Sequence, residues 1–237
     1  MTRFRALLFN IAYLTWTVGI HLLCLPLLLG PRSWVRAAGR VWIRVSLWLL
    51  RIIVGLTYRE TGLDYFPKTP AILAVKHQSA WETLYLTLAF GHPAFVLKRE
   101  LLWIPLFGWY LSKVGMIAVD RSGKAAALKQ MVRQAQAAFA EGRPVIIFPE
   151  GTRVAPGQRK PYQPGIAALY SQLKVPVVPI ALNSGLFWGR KAFLKRPGTI
   201  TVQYLPTIPP GLDRKAFMRE LESRIETTAE ALAKAPH

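Results

Sequence analysis

Between residues 6 and 30 the chain carries no formal charge, and only Asn10 and His21 are strongly polar. No other stretch limits the fold so severely. At about 1.5 Å per helical residue, such a run is long enough to cross the ~30 Å hydrocarbon core of a bilayer. Pro26 sits late in it and should end or kink a helix there. Arg3 and Arg5 in front of the run look like the start of a signal peptide, but the apolar stretch is too long for one and no small-x-small cleavage site follows. Cys24, the only cysteine, lies inside the run, where a thiol behaves as a small hydrophobe and no intrachain disulfide is open to it.

The following segment differs in kind. On a helix, Arg36, Arg40, Arg44 and Arg51 fall within about 80° of one another, opposite Val41, Trp42, Val45, Leu49, Ile52 and Ile53. A guanidinium stripe facing an apolar, tryptophan-bearing side describes a helix lying in a membrane interface; an ordinary amphipathic helix on a soluble core reads the same way. Arginines flank the first segment on both sides, and the positive-inside rule would keep both flanks in the cytoplasm. A shallow or re-entrant two-helix hairpin satisfies that condition better than a single span.

Charge bears on the same question. With 31 Lys+Arg against 12 Asp+Glu the chain carries +19, while 52% of it is hydrophobic. That combination excludes a disordered chain, which is poor in apolar residues, and leaves two polyanionic partners, nucleic acid or an anionic membrane face. The basic residues gather beside the charge-free run and form no recognisable RNA or DNA module. The membrane, at its anionic leaflet, is therefore the expected partner, and nucleic acid is not.

Beyond residue 60, β-rich runs alternate with helical patterns. Strands are expected at 71–75, 95–97, 116–119, 144–148, 177–181 and 199–204, and helices at 81–90, 125–140, 165–173 and 213–234. Ser122 is the expected N-cap of the second helix and Gly142 its stop. The pattern predicts an α/β fold, a mixed, mostly parallel sheet covered by helices. Two units are expected: residues 1–60 as the membrane-associating two-helix hairpin and residues 61–237 as the α/β domain.

Familiar catalytic signatures are missing: no GxSxG elbow, HExxH helix, GxxxxGK[ST] loop or GxGxxG turn. Four scattered histidines and one cysteine offer no metal spacing. What remains sits at predicted strand ends. KHQSAWET (76–83) follows one strand, and Glu82 opens a helix from which it can reach back to His77; a carboxylate on one ring nitrogen leaves the other as a base. Alone, an H-x4-E pair also arises by chance or around a core histidine. FPEGTR (148–153) closes the strongest predicted strand. Its Arg153 suits bidentate capture of phosphate or carboxylate, with Gln158, Arg159 and Lys160 adding charge; a solvated basic loop is the plain alternative. Lys98 and Arg99 end a third strand, so base and cations converge on one sheet edge.

The blocks KHQSAWE, FVLKREL, FPEGTR and VPVVPIALNSG, in that order and spacing, resemble the glycerolipid acyltransferase family, in particular its lysophosphatidate (1-acylglycerol-3-phosphate) acyltransferases of bacteria. The resemblance covers roughly residues 71–185, and the N-terminal hairpin is similar to that family's two-helix motif. It implies an O-acyltransferase in which His77 is general base, Glu82 orients it, Lys98, Arg99 and Arg153 hold the acceptor phosphate, and Glu150, Gly151 and Thr152 shape the loop. The implied substrates are a lysophospholipid and acyl-CoA or acyl carrier protein, with no cofactor or metal, on the inner membrane with the site facing the cytoplasm. The family usually has Asp and Asn where Glu82 and Lys76 stand here. Another lyso-lipid acceptor, such as a lyso-ornithine lipid, and a non-catalytic lipid-binding protein remain open alternatives.

Overall fold

A computed structural model describes residues 2–235. Helix α1 (Thr2–Leu23) leads into a 3-10 turn at Leu25–Leu29, with Pro26 in its first turn where the missing N–H costs nothing. Helix α2 (Arg32–Leu49) runs on into a single π turn, Leu50–Val54, closed by Gly55 at φ 78°. That left-handed conformation favours glycine and delivers the chain into β1 (Leu56–Thr61). There follow β2 (Ile72–Val75), α3 (Trp81–Ala89), β3 (Ala94–Lys98), α4 (Phe107–Lys113), β4 (Ile117–Val119), α5 (Lys124–Ala140), β5 (Val145–Ile147), α6 (Pro164–Leu173), β6 (Val177–Leu182), β7 (Gly198–Tyr204) and α7 (Arg214–Lys234).

One seven-stranded sheet has the order β1-β7-β6-β2-β5-β3-β4. Its neighbours pair in parallel except β6 with β7, giving the mixed, mostly parallel sheet expected. Side chains alternate across it. Leu73, Val75, Ile146, Val178 and Ile180 face a core shared with α3 and the N-terminal helices, while Ile72, Ala74, Val145 and Ile147 face α5, α6 and α7. Two apolar faces need two covering layers, which is why the strands read as nearly continuous hydrophobic runs.

Three local expectations change. Strand β1 crosses residue 60, so the boundary drawn there falls inside a strand paired with β7; the polar outer residues of LTYRET hide its pairing. Helix α4 is an additional element, too short to show a period. Gly123, not Ser122, is the N-cap of α5, because the Ser122 amide and hydroxyl both go to the Asp120 carboxylate, at 2.9 and 2.6 Å. Gly142 at φ 70° does end that helix region, donating to the Phe139 carbonyl at 2.9 Å.

The N-terminal helices are not free of the sheet. Phe9, Ile43, Leu50 and Val54 join the same buried cluster as Leu73 and Val75. Phe9 meets Trp188 edge-on at 5.8 Å, and Asn10 accepts from the Lys195 ammonium at 2.6 Å and donates to the Phe193 carbonyl at 3.0 Å. The opposite side of α1 leaves Phe4, Ile11, Leu14 and Leu23 exposed, and α2 adds Trp34, Val41, Trp48 and Ile52. Thus Trp42, Leu49 and Ile53 from the predicted interfacial face pack on the core, whereas Val41 and Ile52 stay outside. Among the described residues, α1 is the one helix long and apolar enough to cross a membrane.

Candidate active site

Strands β2 to β6 run in one direction, so their C-terminal ends share an edge, the edge where open α/β sheets place ligands. His77 follows β2, Lys98 ends β3, Phe148 follows β5 and Asn183–Ser184 follow β6.

Helix α3 begins only at Trp81, so residues 76–80 form an open turn instead of a helical one. Glu82, in the first turn of α3, is wholly buried and reaches back across it. Its Oε1 accepts from His77 Nδ1 at 2.8 Å, Gln78 N at 2.7 Å and Ser79 N at 2.6 Å, and its Oε2 accepts from Ser184 Oγ at 2.8 Å. A carboxylate accepts only, so in this pair Nδ1 is the ring nitrogen that carries the proton. Nε2 is then the nitrogen left for chemistry. Phe148 stacks on the imidazole with centroids 3.9 Å apart and planes 17° from parallel. Hydrogen bond and stacking together fix both the ring's plane and its rotation.

The loop after β5 is stitched to the same turn. The His77 amide donates to Glu150 Oε1 at 3.4 Å, and the Val154 amide donates to the His77 carbonyl at 2.8 Å. Arg153 is therefore one residue from a direct backbone bond to His77. Gly151 turns the loop at φ 66°, and Gly151, Thr152 and Arg153 border the cavity that His77 borders. Glu150 does not line it; it is buried beneath the loop, and burial pushes its carboxyl up, with the Lys76 ammonium pulling it back.

That cavity holds about 1030 Å³, at the upper end of small-molecule sites. Its walls are mostly apolar and come from every covering element around the edge: Val35 and Trp42 of α2, Leu84 of α3, Phe107 of α4 and Met131 of α5 among them. Ile20 and Cys24 from the N-terminal run reach it too. Lys98, Arg153 and Arg190 supply positive charge to its lining. Arg36 and Arg143 also border it, beside His92, whose imidazole is held below its ordinary value by desolvation first and then by Arg36, Arg143 and Arg40. Arg143 is engaged by the carbonyls of His92, Pro93 and Val114 at 3.0, 3.4 and 3.2 Å, which makes it a brace of the wall.

The expected residues divide accordingly. His77, Lys98, Gly151, Thr152 and Arg153 come together around one space, with Glu82 buried behind the imidazole. Arg99 is turned away: it pairs with Asp120 at 3.1 Å on the exposed surface and is absent from the cavity lining. The register explains this, because Lys98 lies opposite Val119 in the β3–β4 pair, so the next residues, Arg99 and Asp120, face each other. Arg159 likewise pairs with Glu230 of α7 at 2.6 Å. Sequence reasoning missed Phe148, Ser184 and Arg190. The first two lay within quoted blocks, but their partners are far away in the chain; Arg190 carries no local signal.

Residues 57–183 match the family described as Acyltransferase. The 1-acyl-sn-glycerol-3-phosphate acyltransferase of Pseudomonas aeruginosa is 40% identical over 195 residues, spanning 82% of this chain and 76% of that protein. The protein of the same name from Cocos nucifera is 30% identical over 197 residues, 81% of this chain and 62% of its own length. The crystal structure of the 1-acyl-sn-glycerophosphate acyltransferase PlsC from Thermotoga maritima covers 100% of both chains with a TM-score of 0.78 at 20% identity; at that identity the likeness speaks for the fold.

Proposed function

This chain belongs to the acyltransferase family, and from that premise we propose that it is a lysophosphatidate acyltransferase, moving a fatty acyl group from acyl-CoA or acyl carrier protein to the sn-2 hydroxyl of lysophosphatidate. One observation carries the reading: His77, held by the buried Glu82 at 2.8 Å, lines one large apolar cavity together with the cationic side chains of Arg153 and Lys98. An imidazole base, a phosphate grip and room for hydrocarbon are what this reaction needs in one place.

His77 Nε2 takes the proton of the acceptor hydroxyl as its oxygen attacks the thioester carbonyl, and Glu82 stabilises the imidazolium that forms. That attack makes the new C–O bond; collapse of the tetrahedral intermediate then re-forms the carbonyl, breaks the C–S bond and releases a thiolate, which takes the proton back from Nε2. A thioester is already activated, so no enzyme nucleophile is needed. General-base help contributes about 10²–10⁴-fold, and holding both substrates in register contributes more. Arg153 and Lys98 grip the acceptor phosphate by charge-assisted hydrogen bonds. Gly151 and Thr152 shape that loop. The acyl chain occupies the apolar part of the cavity.

The first fifty-five or so residues, ahead of β1, serve as the membrane-seating part. Because α1 is packed against Trp188 and Lys195 along one side, the helix lies along the enzyme with its exposed leucines in one leaflet, a re-entrant or in-plane seating on the cytoplasmic face of the inner membrane. Acyl-CoA and acyl carrier protein, both anionic, then approach a surface of net charge +19. The test is thiol release by purified protein in detergent with lysophosphatidate and a panel of lysophospholipids and lyso-ornithine lipid. Release with lysophosphatidate alone or best supports the assignment; a better rate with another headgroup moves it to that acceptor, and release with none overturns it.

A further inference from the structure

Immediately before His77 stands Lys76, whose side chain is 2% exposed. Its ammonium donates to both carboxylate oxygens of Glu226, on α7, at 2.7 Å each, and lies 3.1 Å from Glu150 Oε1. The Tyr162 hydroxyl donates to Glu226 Oε1 at 2.9 Å. All four side chains are buried, and the acyl-transfer chemistry described above uses none of them directly.

Charges are buried at a cost that only close pairing offsets. A cluster of one ammonium and two carboxylates is one positive charge short, and Glu150 Oε2 is buried without a hydrogen-bond partner. Glu150 is thus held chiefly through Oε1, which meets Lys76 and the His77 amide. The other backbone group of His77, its carbonyl, accepts from Val154. The histidine's peptide is clamped at both ends by the loop that carries Arg153, and the clamp's carboxylate takes its counter-charge from Lys76.

We propose that Lys76 is a positioning residue for acyl transfer: by pinning Glu150 between the catalytic turn and α7, it fixes the His77 imidazole relative to the Arg153 guanidinium. Glu226 and Tyr162 anchor Lys76 and have no direct part in placing the site. The proposal rests on the acyl-transfer reading for its kinetic consequence, but the positioning itself has a separate readout. The resemblance places an asparagine commonly at this position; a neutral amide there would need no partner on α7, so in this chain the lysine adds a stabilising tie to the C-terminal helix beside its hold on Glu150.

The experiment compares wild type, Lys76→Met, Glu226→Gln and the Lys76→Met/Glu226→Gln double variant in detergent. Melting temperature, kcat and acceptor KM from thiol release, and amide hydrogen exchange over residues 76–79 and 149–154 are read for each. The double variant removes the mismatched pair, so its melting temperature should recover above that of Lys76→Met while kcat/KM for the acceptor stays at least tenfold below wild type. Exchange at the His77 and Val154 amides should be at least tenfold faster. Glu226→Gln keeps Lys76 on Glu150 and should lose thermal stability but no more than threefold in kcat/KM. Lys76→Arg should recover part of the loss, since it restores the charge. For Lys76→Met the deficit should shrink as pH falls, because the Glu150 carboxyl, already pushed up by burial, faces the vacated site together with Glu226 and Tyr162, and protonating it relieves its unpaired charge.

A double variant with wild-type kinetics and exchange would overturn the proposal, as would equal catalytic losses in Glu226→Gln and Lys76→Met. Should Lys76→Met fail to fold alone, Glu226→Gln and the double variant carry the test. Wild-type protein that releases no thiol with any acceptor refutes the acyl-transfer reading, while the exchange comparison still decides whether Lys76 holds the loop.

Discussion

Replacing Glu82 by Gln changes little but charge, which makes it the sharpest test of the proposed base. The glutamine carbonyl can take the place of Oε1 and keep the donors from His77, Gln78 and Ser79, while its amide faces Ser184 Oγ, whose hydroxyl can turn to accept. Stability should therefore fall modestly. What disappears is the negative charge beside an imidazole that becomes cationic in the transition state. Hydrogen bonds to charged groups contribute about 1.5–3 kcal/mol and neutral ones about 0.5–1.5, and the difference falls chiefly on the His77 bond, the one that becomes an ion pair in the transition state. A loss of about 2–3 kcal/mol specific to the transition state lowers kcat by roughly 30–150-fold. Acceptor KM should move by less than about threefold, since Arg153 and Lys98 are untouched. The assay is thiol release at saturating thioester with acceptor titrated. A kcat near wild type, or parallel losses in kcat and acceptor affinity, would refute the idea that Glu82 acts through the imidazole.

The remaining expectations are briefer. His77→Ala should cost about 10²–10⁴-fold in kcat while leaving vesicle binding intact; retained turnover would remove His77 from the chemistry. Arg153→Ala should raise acceptor KM by about 10–100-fold, the worth of a charge-assisted contact, and an effect confined to the thioester would reassign the arginine. Gly39 lines the cavity on α2, and a Cβ added there meets nothing within 4 Å, so Gly39→Leu should fold well and selectively slow long-chain thioesters; equal slowing of short chains would place the acyl group elsewhere. The Glu150 carboxyl is pushed up by burial, so its contribution to stability is present at low pH and lost as pH rises through its folded titration. Melting temperature of Glu150→Gln relative to wild type should accordingly climb from about pH 4 upward, and a flat difference would contradict it.

Much of this protein is legible along the chain because the relevant physics is local. A charge-free run ended by proline, strands of continuous apolar residues, Gly142 at a left-handed turn and an acid five residues after a histidine all depend on neighbours within one or two turns. That is enough for the α/β class, the order of most strands and helices, and the His77 turn, where an open geometry at 76–80 lets Glu82 reach His77. It is not enough for β1, whose partner is 142 residues away through Thr57 and Thr199, nor for the unity of the N-terminal helices with the sheet, since amphipathicity alone does not say whether an apolar face meets lipid or protein. Arg99 and Arg153 read alike as basic residues at strand ends, yet the β3–β4 register hands the first to Asp120 and leaves the second at the cavity.

The contacts that hold the site are decided still later. Ser184 meets Glu82 across 102 residues and Glu226 meets Lys76 across 150. Local pattern specifies which residues can be buried and which can do chemistry. Hydrogen bonds and ion pairs act over only a few ångströms, so which of those residues become partners depends on strand order and helix docking, and these are settled only when the two cores close together.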